Sequence, residues 1–230
     1  MENKIAIILP VRDGRLGRSS RLIRCLASYI EMTEGLSDIH LLHDEDECDI
    51  YHPIVEQYPQ IINYCIPIGI TLMQKINVHA LDIASKYKYV GFIGDDIVFK
   101  TKFEQIFIDL LFSMGFGMVY GNDMVWGEKL ATHPFMTSNA ITAVGFFGCP
   151  AVEHNYFDNY WQAIFGSLNK IVYLPEILME HVHPIVGKEV ADNIYKEIEN
   201  KLQLDEIKFT RYMSNNLVED LDKIKNFAID

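Results

Sequence analysis

Between Lys4 and Tyr120 the chain alternates short aliphatic runs with stretches whose apolar residues recur every three or four positions, and few architectures accept that rhythm. Residues 4–9 form a continuous aliphatic run closed by Pro10, as in a strand buried on both faces of a parallel sheet. After the polar loop 11–17, residues 18–32 place Leu22, Cys25, Leu26 and Tyr29 on one helical face. Residues 39–42 read as a second strand that runs into His43, Asp44, Glu45, Asp46 and Glu47. A third strand is expected at 61–68 and a helix at 71–85, carrying Leu72, Ile76, His79, Ala80 and Ile83. Residues 89–93 form the next strand, ended by Gly94, Asp95 and Asp96, with a helix at 102–114 and a strand at 117–120 after it. This succession predicts an α/β fold with an open, mostly parallel central sheet flanked by helices, its ligands lying beyond the carboxyl ends of the strands.

The rhythm breaks at Asn122. An irregular stretch with Trp126, His133, Pro134, Ser138 and Asn139 leads to the aromatic run Gly145, Phe146, Phe147, Gly148, which suits a wall for an acceptor. A helix is expected at 157–166, a strand at 171–174 and a strand end at 180–184. Residues 187–230 read as a helical tail of two patterns parted near 203–205, packed on the same domain. There is neither an internal repeat nor a low-complexity linker.

Composition narrows the function classes. Twenty Lys and Arg against 32 Asp and Glu give a net charge of −12, which repels phosphate polymers, so nucleic acid is a poor partner. The four cysteines, Cys25, Cys48, Cys65 and Cys149, are scattered without a CxxC pair and read as reduced thiols. The apolar run before Pro10 is too short for a signal peptide. Residues 106–119 fall short of a membrane span and are interrupted by Asp109 and two glycines, so a soluble, cytoplasmic protein is expected.

Adjacent carboxylates directly after a buried strand repel one another unless a cation or hydrogen-bond donors compensate, so Asp95 and Asp96 read as a metal site. A divalent ion there could also bridge the phosphates of a nucleoside diphosphate. Helix capping by Asp96, or plain solvation of both, would explain the pair equally well. His181 and His183, two residues apart, would share a strand face and bring an imidazole to that metal, although a structural role is open to either. Asp158, amid aromatic residues at a helix start, is a candidate general base, or else a carboxylate that satisfies free backbone donors. Arg12, Asp44 and Lys75 lie after strand one, after strand two and on the helix before the Asp pair, where each could also be a surface charge. The chain has no GxxxxGK[ST], GxGxxG or GxSxG element.

Taken in order, IAIILPVRDG, RSSRLIRCLAS, HDEDE and YVGFIGDDI resemble the nucleotide-binding half of GT-A glycosyltransferases, especially family-two-like enzymes. GMVYGNDM, TSNAITAVGFFG, HNYFDNYW and YLPEILMEHVHP resemble their acceptor half. The resemblance implies a Rossmann-like nucleotide-diphospho-sugar transferase domain over 1–186, with a nucleotide half at 1–121 and an acceptor half at 122–186. It implies a metal-dependent hexosyl transfer from a nucleoside diphosphate sugar to an acceptor hydroxyl, with Mn²⁺ or Mg²⁺ and with inversion. By the same resemblance Pro10 and Arg12 meet the nucleotide, Asp44 lies near base or ribose, and Asp95 faces the ribose or donor sugar. Asp96 binds the metal with His181 or His183, Asp158 is the base, and Lys188 closes over the diphosphate. Two departures from the family pattern are the Gly-Asp-Asp form of the acidic element and the missing Glu-Asp pair around Asp158. The rival readings are a sugar-phosphate nucleotidyltransferase, whose basic glycine loop Gly14, Arg15, Gly17 and Arg18 would imitate, and a non-catalytic nucleotide- or glycan-binding module.

Overall fold

The computed structural model describes residues 1–184, 187–188 and 192–227. The expected boundary at Val186 and most of the stretch from Ile185 to Ala191 lie outside the described residues. Eight strands form one sheet: β1 (Glu2–Pro10), β2 (Ser37–Asp44), β3 (Ile62–Ile66), β4 (Tyr87–Phe92), β5 (Ile97–Phe99), β6 (Met118–Asn122), β7 (Phe135–Thr137) and β8 (Ile171–His181). Their order is β3-β2-β1-β4-β7-β6-β8-β5. The helices are α1 (Ser19–Met32), α2 (Cys48–Val55), α3 (Leu72–Lys86), α4 (Glu104–Met114), α5 (Ser138–Val144), α6 (Phe157–Ser167) and α7 (Asn193–Phe227).

Strand direction decides where the chemistry gathers. β1 runs parallel to β2 and β4, and β2 to β3. β7 is antiparallel to both β4 and β6, so β6 points the same way as β4, and β8 is parallel to β6. The carboxyl ends of β1, β2, β4, β6 and β8 therefore open on one edge of the sheet. β7 begins on that edge because it runs backwards. Two apolar clusters cover the sheet, one with Ile76, Met136, Trp161 and Phe165, the other with Ile7, Leu26, Phe103 and Phe135. In β4 a Cβ on Gly91 would stand 2.3 Å from the ring of Phe135, so this central strand needs glycine to let β7 lie against it.

The expected strands and helices of the first half are present, with ends shifted by at most two residues. Three expectations for the second half change. Residues 171–174 and 180–184 do not form separate pieces: β8 is one strand, bent by a register shift opposite Gly121 and Asn122, and it ends at His181 before His183. The tail is one 35-residue helix rather than two, because nothing at 203–205 breaks it. Asp205, buried in its middle, accepts hydrogen bonds from the backbone N–H of Glu153, His154 and Asn155. The proposed acceptor wall is also displaced. Thr137 pairs with Tyr89 at the amino end of β4 and Ser138 reaches Met1, so 137–139 lie at the opposite edge of the sheet, while Phe147 is fully buried against Phe157 and Trp161. Among the described residues no helix is long and apolar enough to cross a membrane.

Candidate functional site

Each strand that ends on the open edge delivers a polar side chain. β4 delivers Asp95 and Asp96, β6 delivers Asp123, β8 delivers His181, and the entry to β7 delivers His133. Backbone hydrogen bonds tie these ends together: Val182 N–H donates to the Asp96 carbonyl at 2.8 Å, and His181 N–H to the Asp123 carbonyl at 2.9 Å. His181 then stands between two carboxylates, with Nε2 3.3 Å from Asp96 and Nδ1 3.7 Å from Asp123. His133 packs edge-on to His181 at 5.1 Å between ring centroids, and His183 does so at 4.8 Å.

The electrostatics favour positive charge at this point. Burial opposes a charge on His181, yet Asp123 and Asp96 outweigh it and raise its pKa to about 9. Burial likewise opposes ionisation of Asp123, but His181 and the backbone N–H groups of Gly127, Val125 and Trp126 hold it well below the usual carboxylate range. Those three N–H groups donate to Asp123 Oδ1 at 2.8–3.0 Å and Thr132 Oγ1 donates to Oδ2 at 3.1 Å, so Asp123 organises the loop that carries the exposed Trp126. His133 is buried with neither ring nitrogen hydrogen-bonded among the described residues, and burial lowers its pKa to about 3.

Two donors that share a cation at about 2.1 Å each lie roughly 3 Å apart when adjacent in its coordination sphere. The 3.3 Å between Asp96 Oδ2 and His181 Nε2 fits that spacing, and the carboxylate oxygen of Asp96 is a donor that suits Mn²⁺ or Mg²⁺. His133 beside them is a further buried imidazole whose nitrogens have no hydrogen-bond partner among the described residues. Of the two expected histidines, His181 stands 3.3 Å from Asp96, and His183 packs edge-on to it.

Asp158 is the second residue of α6. Its carboxylate accepts from Asn159 N–H at 2.9 Å, and it feels the charges of both His181 and Asp123. Burial pushes its pKa up to about 6 although part of the residue stays open to solvent.

The expected nucleotide end forms a second cluster. Asp44, at the tip of β2, is paired with Lys75 of α3 and with Arg12 at 3.0 Å. Lys75 also donates to the Val11 carbonyl at 3.2 Å, just past Pro10. A capping box between Thr71 and Gln74 starts α3 one turn earlier and so sets Lys75 against Asp44. Asp44 and Lys75 are buried, whereas the Arg12 side chain is 54% exposed and presents the cluster to solvent. Lys188 is exposed and donates to Glu180 at 2.7 Å, which also pairs with Lys100.

The loop after β1 uses its amides internally. Asp13 N–H and Gly14 N–H donate to Glu47, and Gly17 N–H and Ser19 N–H to Asp13. Arg15 is held by Asp49 and by the Asp46 carbonyl. Two residues of the site lie outside the set expected from sequence: Asp123, and His133, expected only in the acceptor wall. Asp123 carried the same signal as Asp96, a carboxylate immediately after a buried strand.

No family profile and no curated protein sequence matches the chain. Solved structures do. TarS 1–349 from S. aureus aligns with 76% of this chain at a TM-score of 0.57 and 12% identity, and the chain spans only 59% of that protein's length. TarS 1–349 in complex with UDP-GlcNAc aligns over 97% of this chain and 79% of its own, with a TM-score of 0.56 and 12% identity. The mannosyltransferase PcManGT from Pyrobaculum calidifontis, in complex with GDP-Man and Mn²⁺, aligns over 97% of this chain and 73% of its own, with a TM-score of 0.52 and 8% identity. The chain thus has the α/β fold of GT-A nucleotide-sugar transferases.

Proposed function

We propose that the chain is a metal-dependent glycosyltransferase that moves a hexose from a nucleoside diphosphate sugar to an acceptor hydroxyl with inversion. The observation that carries this reading is the convergence of Asp96, His181 and Asp158 on the carboxyl edge of a sheet whose structural relatives include proteins bound to UDP-GlcNAc and to GDP-Man with Mn²⁺. Asp96 and His181 would hold the ion, which when bound neutralises charge on the departing diphosphate. Asp123 fixes His181 from behind. Arg12 offers its exposed guanidinium to the nucleotide beside Pro10, with the buried Asp44 and Lys75 pair setting its position. Asp95 faces the ribose or donor sugar. Lys188 would leave Glu180 to meet the diphosphate.

Asp158, with a pKa near neutral, can take a proton from an acceptor hydroxyl, and that oxygen then attacks the anomeric carbon opposite the leaving diphosphate. The exposed Trp126, on the loop that Asp123 holds, would offer a flat surface to a sugar. The buried Cys25 and Cys149, which carry no disulfide, are compatible with a reducing cytoplasm. The nucleotidyltransferase reading loses its support, since the glycine loop spends its amides on Glu47 and Asp13 rather than offering them to a triphosphate.

A thermal-shift panel of UDP-, GDP-, CDP- and dTDP-sugars with and without Mn²⁺ tests the proposal. Stabilisation is expected from one nucleotide class only when metal is also present, and it should vanish in Asp96→Asn. No response to any combination would overturn the reading, as would turnover of a nucleoside triphosphate with a sugar phosphate. Tight donor binding without transfer to any acceptor would favour a binding module.

A further inference from the structure

A second group of metal-ligating side chains lies on the outer edge of the sheet, away from Asp96. β2 supplies His43 and its parallel neighbour β3 supplies Cys65, and these two residues are partners in register. α2 supplies Cys48 and His52, four residues apart and so on one helical face. One ligand atom from each of the four lies within 4.8 Å of every other. Around a tetrahedral zinc ion, with bonds of about 2.3 Å to sulfur and about 2.0 Å to nitrogen, ligand atoms stand roughly 3.3–3.8 Å apart. Small side-chain rotations would bring the observed group to that spacing.

The state of His43 points the same way. Its Nδ1 lies 2.9 Å from the Asp44 carbonyl, which fixes a proton on that nitrogen, and its Nε2 is buried with no hydrogen-bond partner among the described residues. A histidine whose one nitrogen donates to a carbonyl while the other presents a lone pair is the arrangement used by metal-bound imidazoles. Tyr51 stacks on the same ring at 5.2 Å between centroids and limits its rotation. Two thiols and two imidazoles in a closed set suit Zn²⁺ over the oxygen-seeking Mg²⁺ or Mn²⁺.

We propose that His43, Cys48, His52 and Cys65 bind a structural Zn²⁺ that pins α2 to the edge formed by β2 and β3. The site adjoins the Asp44 cluster, since the Asp44 carbonyl holds His43, but shares no ligand with Asp96 and His181, and it stands whether or not that activity is found. It still bears on the donor end. Glu47, between the ligands His43 and Cys48, holds the Asp13 and Gly14 amides of the loop after β1, so a fixed α2 fixes that loop.

The test is metal analysis of the purified full chain, prepared without chelators, followed by exchange into Co²⁺. Stoichiometric zinc, and a cobalt spectrum with thiolate charge-transfer bands and tetrahedral ligand-field bands, are expected. Cys65→Ser and His52→Ala, both at exposed positions, should lower zinc affinity by more than the roughly 10–100-fold that accompanies loss of an outer-shell partner. Asp96→Asn should leave zinc content unchanged, which separates this site from the candidate catalytic metal. Absence of zinc together with a cobalt spectrum lacking thiolate bands would overturn the proposal, as would a Cys48 to Cys65 disulfide in the unreduced protein. Should the variants misfold, the cobalt spectrum of the unmodified chain decides.

Discussion

Replacing Asp158 with Asn should make the protein more stable and less active at once, with a pH dependence that identifies the cause. The folded state raises the pKa of this carboxyl from an ordinary 3.8 to about 6, so above pH 6 the native protein keeps a charge where burial disfavours it. At about 1.4 kcal/mol per pH unit, that separation corresponds to about 3 kcal/mol of lost stability, reduced to about 2 kcal/mol by the solvent that still reaches the residue. Between the two pKa values the native state binds more protons than the unfolded one, so stability falls as pH rises through this window and is fully regained below the unfolded value. Asn cannot ionise, and its oxygen can still accept from Asn159. Metal-free Asp158→Asn should therefore melt about 4–8 °C higher than the unmodified chain near pH 7.5, with most of the gap closed near pH 4. Transfer activity should drop by roughly 10²–10⁴-fold, and the acid limb of the unmodified enzyme should lie near pH 6. A melting difference equal at both pH values, or a destabilised variant at pH 7.5, would refute the electrostatic account of Asp158.

Two further substitutions probe the supports of the site. Lys75→Met leaves Asp44 buried with Arg12 alone, and urea unfolding should record a loss of about 3 kcal/mol, with much of it recovered in the double variant Asp44→Asn, Lys75→Met. Equal losses in the single and double variants would show that the pair does not act as a unit. Asp205→Ala strands three backbone N–H groups before α6 and should cost about 2–4 kcal/mol by calorimetry at neutral pH. Burial raises and those hydrogen bonds lower the Asp205 pKa, with a net depression, so its contribution exists above the ordinary Asp range and fades as pH falls through its folded pKa. A cost that persists undiminished in acid would point to packing instead.

The parallel half was legible because strands buried on both faces are unbroken aliphatic runs, and Pro10, Asp44 and Asp95 mark their ends. α2 escaped notice because it follows an acidic run and contains Pro53, both of which read as loop. β8 was divided in two because Pro175 and Glu176 are exposed at its bend. Asp205 looked like a gap in the apolar pattern of the tail, whereas its carboxylate serves another segment. β7 is only three residues long, and its reversed direction, which brings His133 to the site edge, depends on pairing with β4 and β6 that no local signal records. For the same reason the meeting of Cys48 with Cys65 was invisible from their spacing.

The continuity of α7 has a mechanical meaning. Asp205 holds the segment that enters α6, and fifteen residues further along Asp220 accepts from Tyr160 on α6 and from Tyr212. A single rod of about 50 Å thus grips the Asp158-bearing helix at two points, while the Asp44 cluster rests on β1, β2 and α3. The two supports meet at the segment before α6, where Met73 N–H of α3 donates to the Glu153 carbonyl at 3.2 Å and Asn77 holds the backbone of Phe147 and Gly148. Variation along the tail can therefore be felt at Asp158 through α6 and, through Glu153, at the start of the helix that carries Lys75.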